Sequence, residues 1–183
     1  MNISQKKEDL LHTAERLFYE YGFRGVGVKQ IIKEANVANM TLYNHFSSKE
    51  QLVEEVLKKR ETRYWSYLDN FVQEKSSTPF LVALEAHGKW LEEESYKGDM
   101  FLRAIEDYAG TDNDIENIAR SHKSKLLRYF QTLAKQIEEE NHQDLAFYFT
   151  LLFEGATSMT TLIGPEQAII YAKDMAKKIV YSS

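Results

Sequence analysis

Apolar residues recur along this chain at three- and four-residue spacings, the period of an amphipathic helix. Leu10, Leu11, Ala14, Leu17, Phe18 and Tyr21 form one such stripe, predicting a helix over about 4–21 that stops at Gly22. Val28, Ile31, Ile32 and Ala35 predict a second helix over about 28–35, and Leu42 and Phe46 a third over about 39–46. Between these two, Asn36 suits a tight turn because asparagine tolerates left-handed backbone, and Val37 can plug the gap. A fourth helix opens at Ser47-Ser48-Lys49-Glu50, where Ser47 with Glu50 and Ser48 with Gln51 both have the spacing of a capping box.

The fourth helix is expected to run to about 75 and to end at Ser76-Ser77-Thr78-Pro79, the clearest linker in the chain. Further helices follow over about 79–95, 99–109, 113–139, 144–163 and 165–181. Thr111-Asp112-Asn113 supplies caps for the seventh, Glu138–Gln143 is a polar break, and Gly164-Pro165 is a glycine stop followed by a proline start. The pattern is all-α, about nine helices, with a head over 1–50 and a body over 51–183.

Composition agrees and narrows the classes. With 43% hydrophobic and 28% charged residues but only 2 prolines and 8 glycines in 183, long helices are expected rather than a many-turned β sandwich. There is no cysteine, which excludes disulfides, thiolate chemistry and Cys-based zinc sites and suits a cytoplasmic location. The N-terminus lacks the uninterrupted apolar run of a secretory signal. Leu145–Ile163 has membrane-spanning length, but Glu154 and four threonines make it a buried soluble helix, so no membrane partner is expected. The net charge of −5 argues against nonspecific coating of nucleic acid. Residues 1–50 nevertheless hold seven Lys or Arg against six Asp or Glu, while the rest hold 16 against 22. A near-neutral head can bind DNA if its cations are grouped.

The second and third helices have the apolar clamp of a helix-turn-helix: Ile31, Ala35, Val37, Leu42 and Phe46, with Ala35 small enough for a close crossing. With Leu42 inward, Met40 and Asn44 point about 160–200° away, flanked by Thr41 and Tyr43. That uncharged face suits base edges, since amides pair with adenine and methyl groups touch thymine. Lys29, Tyr43, His45 and Lys49 ring it with donors able to hold phosphates.

The run Thr41-Leu42-Tyr43-Asn44-His45-Phe46 followed by Ser48-Lys49-Glu50-Gln51-Leu52 resembles the TLYxHF-x-SKxxL signature of the TetR family of bacterial transcriptional regulators. Leu17-Phe18, Gly22-Phe23 and Ile31 fit the same pattern, so the resemblance covers about the first 55 residues. It implies a homodimeric repressor that binds a palindromic operator in double-stranded DNA and releases it when a small-molecule effector enters the body. Residues 1–50 would be the helix-turn-helix DNA-binding domain and 51–183 the helical ligand-binding and dimerisation domain. The resemblance places base or backbone contacts at Ala38, Asn39, Met40, Thr41, Tyr43, Asn44 and His45, with Lys29 and Lys49 at phosphates. Gly27, Asn36 and Ala38 depart from the family pattern, which usually has Thr or Ser, Gly, and Ser there. Gly27 therefore lacks a capping hydroxyl, and Asn39 is expected to take over from Ala38 as cap of the third helix.

The body is dense in aromatics. Trp65, Trp90, Phe101, Tyr108 and Phe153 are the candidate pocket lining, with Glu106 and Glu154 as polar partners. Glu154 lies mid-helix among Leu151, Leu152, Phe153 and Ala156, where an unpaired carboxylate is costly, so a salt bridge, an interface edge or a cationic ligand is expected beside it. In the last helix Ala168, Ala172 and Ala176 repeat every four residues beside Ile169, Met175 and Ile179, and the eighth helix, with Phe149 and Phe153, is apolar around much of its circumference. These two helices from each subunit are expected to form a dimer four-helix bundle. The fourth helix, rooted in the head at Ser48 and reaching Trp65, is the expected lever.

Other classes fit fragments of the sequence. Glu139-Glu140-Asn141-His142 contains the Glu-x-x-His spacing of di-iron bundles, but no second copy exists, and no HExxH, GxSxG or phosphate-cradling loop occurs. No catalytic residue, metal or cofactor is expected. A helical adaptor whose head binds protein is the remaining alternative.

Overall fold

The computed structural model describes residues 3–72, 78–138 and 140–181. Among the described residues there are nine α-helices and no strand: α1 (Ile3–Tyr21), α2 (Val28–Glu34), α3 (Asn39–His45), α4 (Lys49–Val72), α5 (Pro79–Glu94), α6 (Met100–Tyr108), α7 (Ile115–Ile137), α8 (His142–Ile163) and α9 (Pro165–Tyr181). The all-α expectation is met. Ser76 and Ser77 of the expected linker lie outside the described residues, as does Glu139 of the Glu-x-x-His motif. α7 starts two residues later than the spacing predicted, where Asn113 Oδ1 accepts from the Ile115 N–H at 3.1 Å. α8 ends as expected, with Gly164 at φ 81° before Pro165.

The chain divides into two compact units, the first Met1–Thr62 with Met100–Ser121 and the second Arg63–Asp99 with His122–Ser183. The single boundary expected at residue 50 thus differs from this partition. α4 and α7 each contribute residues to both units.

In the first unit the buried faces of α1 to α4 (Leu10, Leu17, Phe18, Ile31, Leu42, Phe46, Leu52) share one core with Met100, Phe101, Ala104, Tyr108, Ile115 and Ala119. α6 joins this core through Met100, Phe101, Ala104 and Tyr108, which fall on one side of a single short helix. Polar contacts fasten it there. Arg103 donates to the Tyr19 carbonyl at 2.8 Å, satisfying a backbone acceptor that the last turn of α1 leaves open. Arg24 donates to the Asp107 carbonyl at 2.5 Å. Arg60 and Glu15, 3% and 7% exposed, form a buried ion pair at 2.7 Å.

The second unit is built from the later part of α4, α5, the later part of α7, α8 and α9. Phe80 and Phe149 stack 3.5 Å apart, and Phe130, Phe153, Leu84 and Leu91 fill the space around them. Ala168, Ala172 and Ala176 are all buried in this core, where α9 packs on α5 and α8. Gly88 permits the approach of α5 and α9, since a Cβ there would lie 2.8 Å from Ile169 Cγ1. The alanine stripe expected at a dimer seam is therefore internal. Small side chains at four-residue spacing signal close helix packing without saying whose helix approaches.

A polar cluster sits inside this apolar unit. The Thr157 hydroxyl gives its proton to the Phe153 carbonyl at 2.9 Å, so it accepts from His87 Nε2 at 2.7 Å. His87 Nδ1 is then bare and accepts from the Tyr64 hydroxyl at 3.3 Å. Burial, reinforced by the charge of Lys123, pushes His87 down from 6.5 to about 3. The Lys123 ammonium bridges Asp99 and Glu154, with both Glu154 oxygens at 2.8 Å. Burial pulls that ammonium's pKa down, but the two carboxylates more than offset it and hold it above its usual value. The salt bridge expected of Glu154 is thus made within the chain.

His87 makes stability depend on pH. Its folded pKa lies below its unfolded one, so between about 6.5 and 3 the unfolded chain takes up a proton that the folded chain refuses. The stabilisation is complete above this window and falls as the solution is acidified. Urea unfolding should show a loss of about 1 kcal/mol from this residue between pH 7 and 5.5, and His87→Gln should flatten that part of the profile.

Candidate nucleic-acid interface

The turn between α2 and α3 is set by one residue. Asn36 has φ 52°, the only positive φ among the described non-glycine residues. Its N–H donates to the Lys33 carbonyl at 3.3 Å, and the Val37 N–H to the Ile32 carbonyl at 3.3 Å. These two bonds form a Schellman motif, in which asparagine takes the place more often filled by glycine. Val37, half-buried, packs against the core of the first unit, as the spacing predicted.

α3 starts at Asn39, with Ala38 as N-cap in extended conformation and no side-chain cap. Asn39 is thus the first helical residue, and the expected transfer of the cap to it does not occur. Gly27 is likewise the uncapped N-cap of α2. At the start of α4 one half of the second possible box forms: the Gln51 N–H donates to Ser48 Oγ at 3.1 Å, while Gln51 Oε1 accepts from the Ser47 N–H, one residue before the one a full box uses.

With Leu42 and Phe46 fully buried, the opposite side of α3 faces solvent. Met40 is 67% and Tyr43 52% exposed, and Ala38, Asn39 and Asn44 are exposed as well. Thr41 and His45 are half-buried at its flanks, His45 lying against the Phe46 ring. Lys29 is exposed on α2. Lys33, one turn further along the same helix, is also exposed, and its four-residue spacing from Lys29 puts the two on a shared face, a signal already present in the sequence.

Lys49 departs from expectation. Its ammonium donates to the Phe23 carbonyl at 2.6 Å and lies over the Phe18 ring, so it turns inward rather than joining the exposed face. Burial holds its pKa below the usual lysine value. An open acidic groove lined by Glu50, Glu54, Asp112 and Asp114 borders the same end of α4, which makes that side unfavourable for phosphate.

Residues 10–56 match the family model described as bacterial regulatory proteins, tetR family. These residues form an N-terminal domain of the TetR type. It is 34% identical over 89 residues to the HTH-type transcriptional repressor KstR2 of Mycolicibacterium smegmatis, an alignment covering 45% of this chain and 43% of that protein, so less than half of that relative's length is spanned. It is 24% identical over 190 residues to the negative transcriptional regulator IcaR of Staphylococcus aureus, covering 96% of this chain and 95% of that one. A TetR-family transcriptional regulator from Streptomyces coelicolor has the same fold, with a TM-score of 0.90 at 22% identity over 98% of this chain and 96% of its own.

The body candidates do not converge on one site. Trp65, Trp90, Phe153 and Glu154 belong to the second unit, but Phe101 and Tyr108 are buried in the core of the first, where Tyr108 meets the edge of Phe23, and Glu106 is exposed there. The amphipathicity of α6 decides this: its apolar side completes the TetR-type head instead of lining a pocket. Phe149 and Phe153 of the expected dimer seam are also buried within the chain, while Met175 and Ile179 are exposed. Among the described residues no group of three or more His, Asp or Glu is placed to hold a metal ion, and no helix is long and apolar enough to cross a membrane.

The bare caps offer a direct test of how the motif is held. Ala38 already has the extended backbone a capping residue needs, so Ala38→Ser should raise unfolding stability by about 1 kcal/mol. Gly27→Ser meets no atom within 4 Å and should add only roughly a few tenths of a kcal/mol, because glycine is itself a tolerable cap. Chemical denaturation of the two variants checks the ranking.

Proposed function

We propose that the protein is a transcriptional repressor that binds a palindromic operator as a homodimer through α3 and is released by a small, largely apolar effector held in the second unit. The observation that carries the reading is the solvent face of α3. Two buried anchors present an uncharged surface of amide, hydroxyl and apolar groups, with Lys29 and Lys33 on the helix before it. Such a face has no role in the core of this domain and suits a major groove. The relatives described above, named as a repressor and a negative regulator, support the direction of control.

The homodimer rests on a different surface from the one the alanine spacing suggested. Phe147, Leu151, Met159 and Leu162 form an exposed apolar stripe along α8, with Leu151 69% and Leu162 76% exposed. Tyr171, Met175 and Ile179 add an exposed apolar set on α9. Gly155 lies within the α8 stripe, is exposed, and would present a Cβ to nothing within 4 Å. A mid-helix glycine costs roughly 1 kcal/mol relative to alanine, and the chain's own packing gives no reason for it. Close approach of the same helix from a second copy does. A two-fold pair of heads can read two half-sites about 34–36 Å apart, which one α3 cannot.

The effector reading rests on the second unit, where Trp65 and Trp90 accompany the buried Tyr64–His87–Thr157 chain and the Lys123 charge cluster. An effector acts as a release signal only by binding the DNA-free arrangement better than the DNA-bound one.

Binding to promoter fragments from its own genome, followed by fluorescence anisotropy, tests the function. Affinity should fall steeply with salt, and Lys29→Ala and Lys33→Ala should each weaken binding and lower the log–log salt slope by roughly one. Affinity indifferent to salt would favour the protein-binding adaptor instead. Sedimentation should give a dimer at micromolar concentration, converted to a folded monomer by Leu151→Asp; a monomeric wild type would overturn the dimer.

A further inference from the structure

The exposed side of α3 carries no cation. From Asn39 to His45 the helix contains no Lys or Arg, Lys49 is held by the Phe23 carbonyl, and Lys29 and Lys33 belong to α2. The strongest side-chain reader of a G·C pair, a guanidinium or ammonium forked onto guanine O6 and N7, is therefore missing from this face. What it offers instead is two amides, at Asn39 and Asn44, a thioether at Met40, and the ring and hydroxyl of Tyr43. The Asn44 side chain is exposed and no side-chain hydrogen bond to it occurs among the described residues, so its amide can serve a partner as donor and acceptor. Met40 and Asn44 are one helical turn apart, so they stand side by side on the groove-facing surface.

We infer that each operator half-site is built around A·T pairs, with the Asn44 amide on the N6/N7 edge of an adenine and Met40 packed on the C5-methyl of a neighbouring thymine. The inference rests on the reading of α3 as the groove-binding helix. An amide can donate to N7 and accept from N6 at once, which no other base offers in that order, and a thymine methyl is the one apolar group on the floor of the major groove. Neither side chain touches the core of the head, so replacing it with alanine leaves the anchors Leu42 and Phe46 untouched.

Selection of duplexes from a random pool by the full-length protein is the first step. A·T pairs at the strongly selected positions of each half-site support the inference, and G·C pairs there overturn it while leaving the DNA-binding reading intact. Absence of any enriched sequence overturns both. On the selected site, replacing the adenine by 7-deaza-adenine removes the N7 acceptor, and replacing the thymine by uracil removes the methyl. The first should weaken wild-type binding roughly five- to a hundredfold, and the second roughly three- to fourfold. The 7-deaza penalty should vanish in Asn44→Ala but persist in Met40→Ala, and the uracil penalty should do the reverse. Salt slopes should be unchanged in both variants, because neither residue meets a phosphate. Penalties that survive in the matching variant would overturn the assignment.

Discussion

Seven residues cannot hold a helix in water, and α3 has only seven. Its existence depends on burying Leu42 and Phe46, and the same burial fixes everything its other residues can do. Once those two point inward, helical geometry sends Met40, Tyr43 and Asn44 outward. The left-handed Asn36 sets the direction in which the chain leaves α2, and the Ser48–Gln51 cap fixes where α4 begins. The chemistry of the exposed α3 face is thus a consequence of core packing in the head, not an addition to it.

This explains which parts of the head could be read directly from its sequence. The Asn36 turn, the Leu42/Phe46 anchors and the cap at Ser48 are local: each is decided within four or five residues, by period, by φ preference or by one side chain reaching one N–H. Lys49 is different. Its position in the signature marks it as a phosphate ligand, yet its ammonium lies on the Phe23 carbonyl, a partner 26 residues away. A flexible side chain near a helix start can serve either partner, and sequence spacing does not contain the competing carbonyl.

The body shows the same division on a larger scale. The helix count and the Gly164-Pro165 break follow from local rules, but the destination of an apolar face does not. α6 reads as a pocket helix in sequence and is buried in the first unit beside Phe18 and Phe23, held by Arg103 on the Tyr19 carbonyl. The alanines of α9 read as a dimer seam and are instead buried in the core of the second unit, where Gly88 of α5 makes room for their neighbour Ile169. In both cases the pattern gave the right face and the wrong neighbour, because amphipathicity states how much surface must be buried but not against what. Gly155 is the converse, a residue whose cost the single chain does not explain and a second copy would.

The charged cluster of the second unit remains the feature least expected of a helical core. An ammonium held by two carboxylates, beside a histidine that burial keeps neutral, is not the cheapest way to fill space; well-packed apolar residues of similar volume are commonly as stable or more so. Its components are, however, mutually satisfied: Lys123 answers Glu154 and Asp99, and Thr157 answers His87, which answers Tyr64. A network of this kind tolerates few alternative packings, since any rearrangement must leave a buried group unpaired. That rigidity suits the effector response proposed above, because a ligand that offered one member of the network a better partner would force the others to move together. A purely apolar core would instead yield by small, independent adjustments and would transmit little.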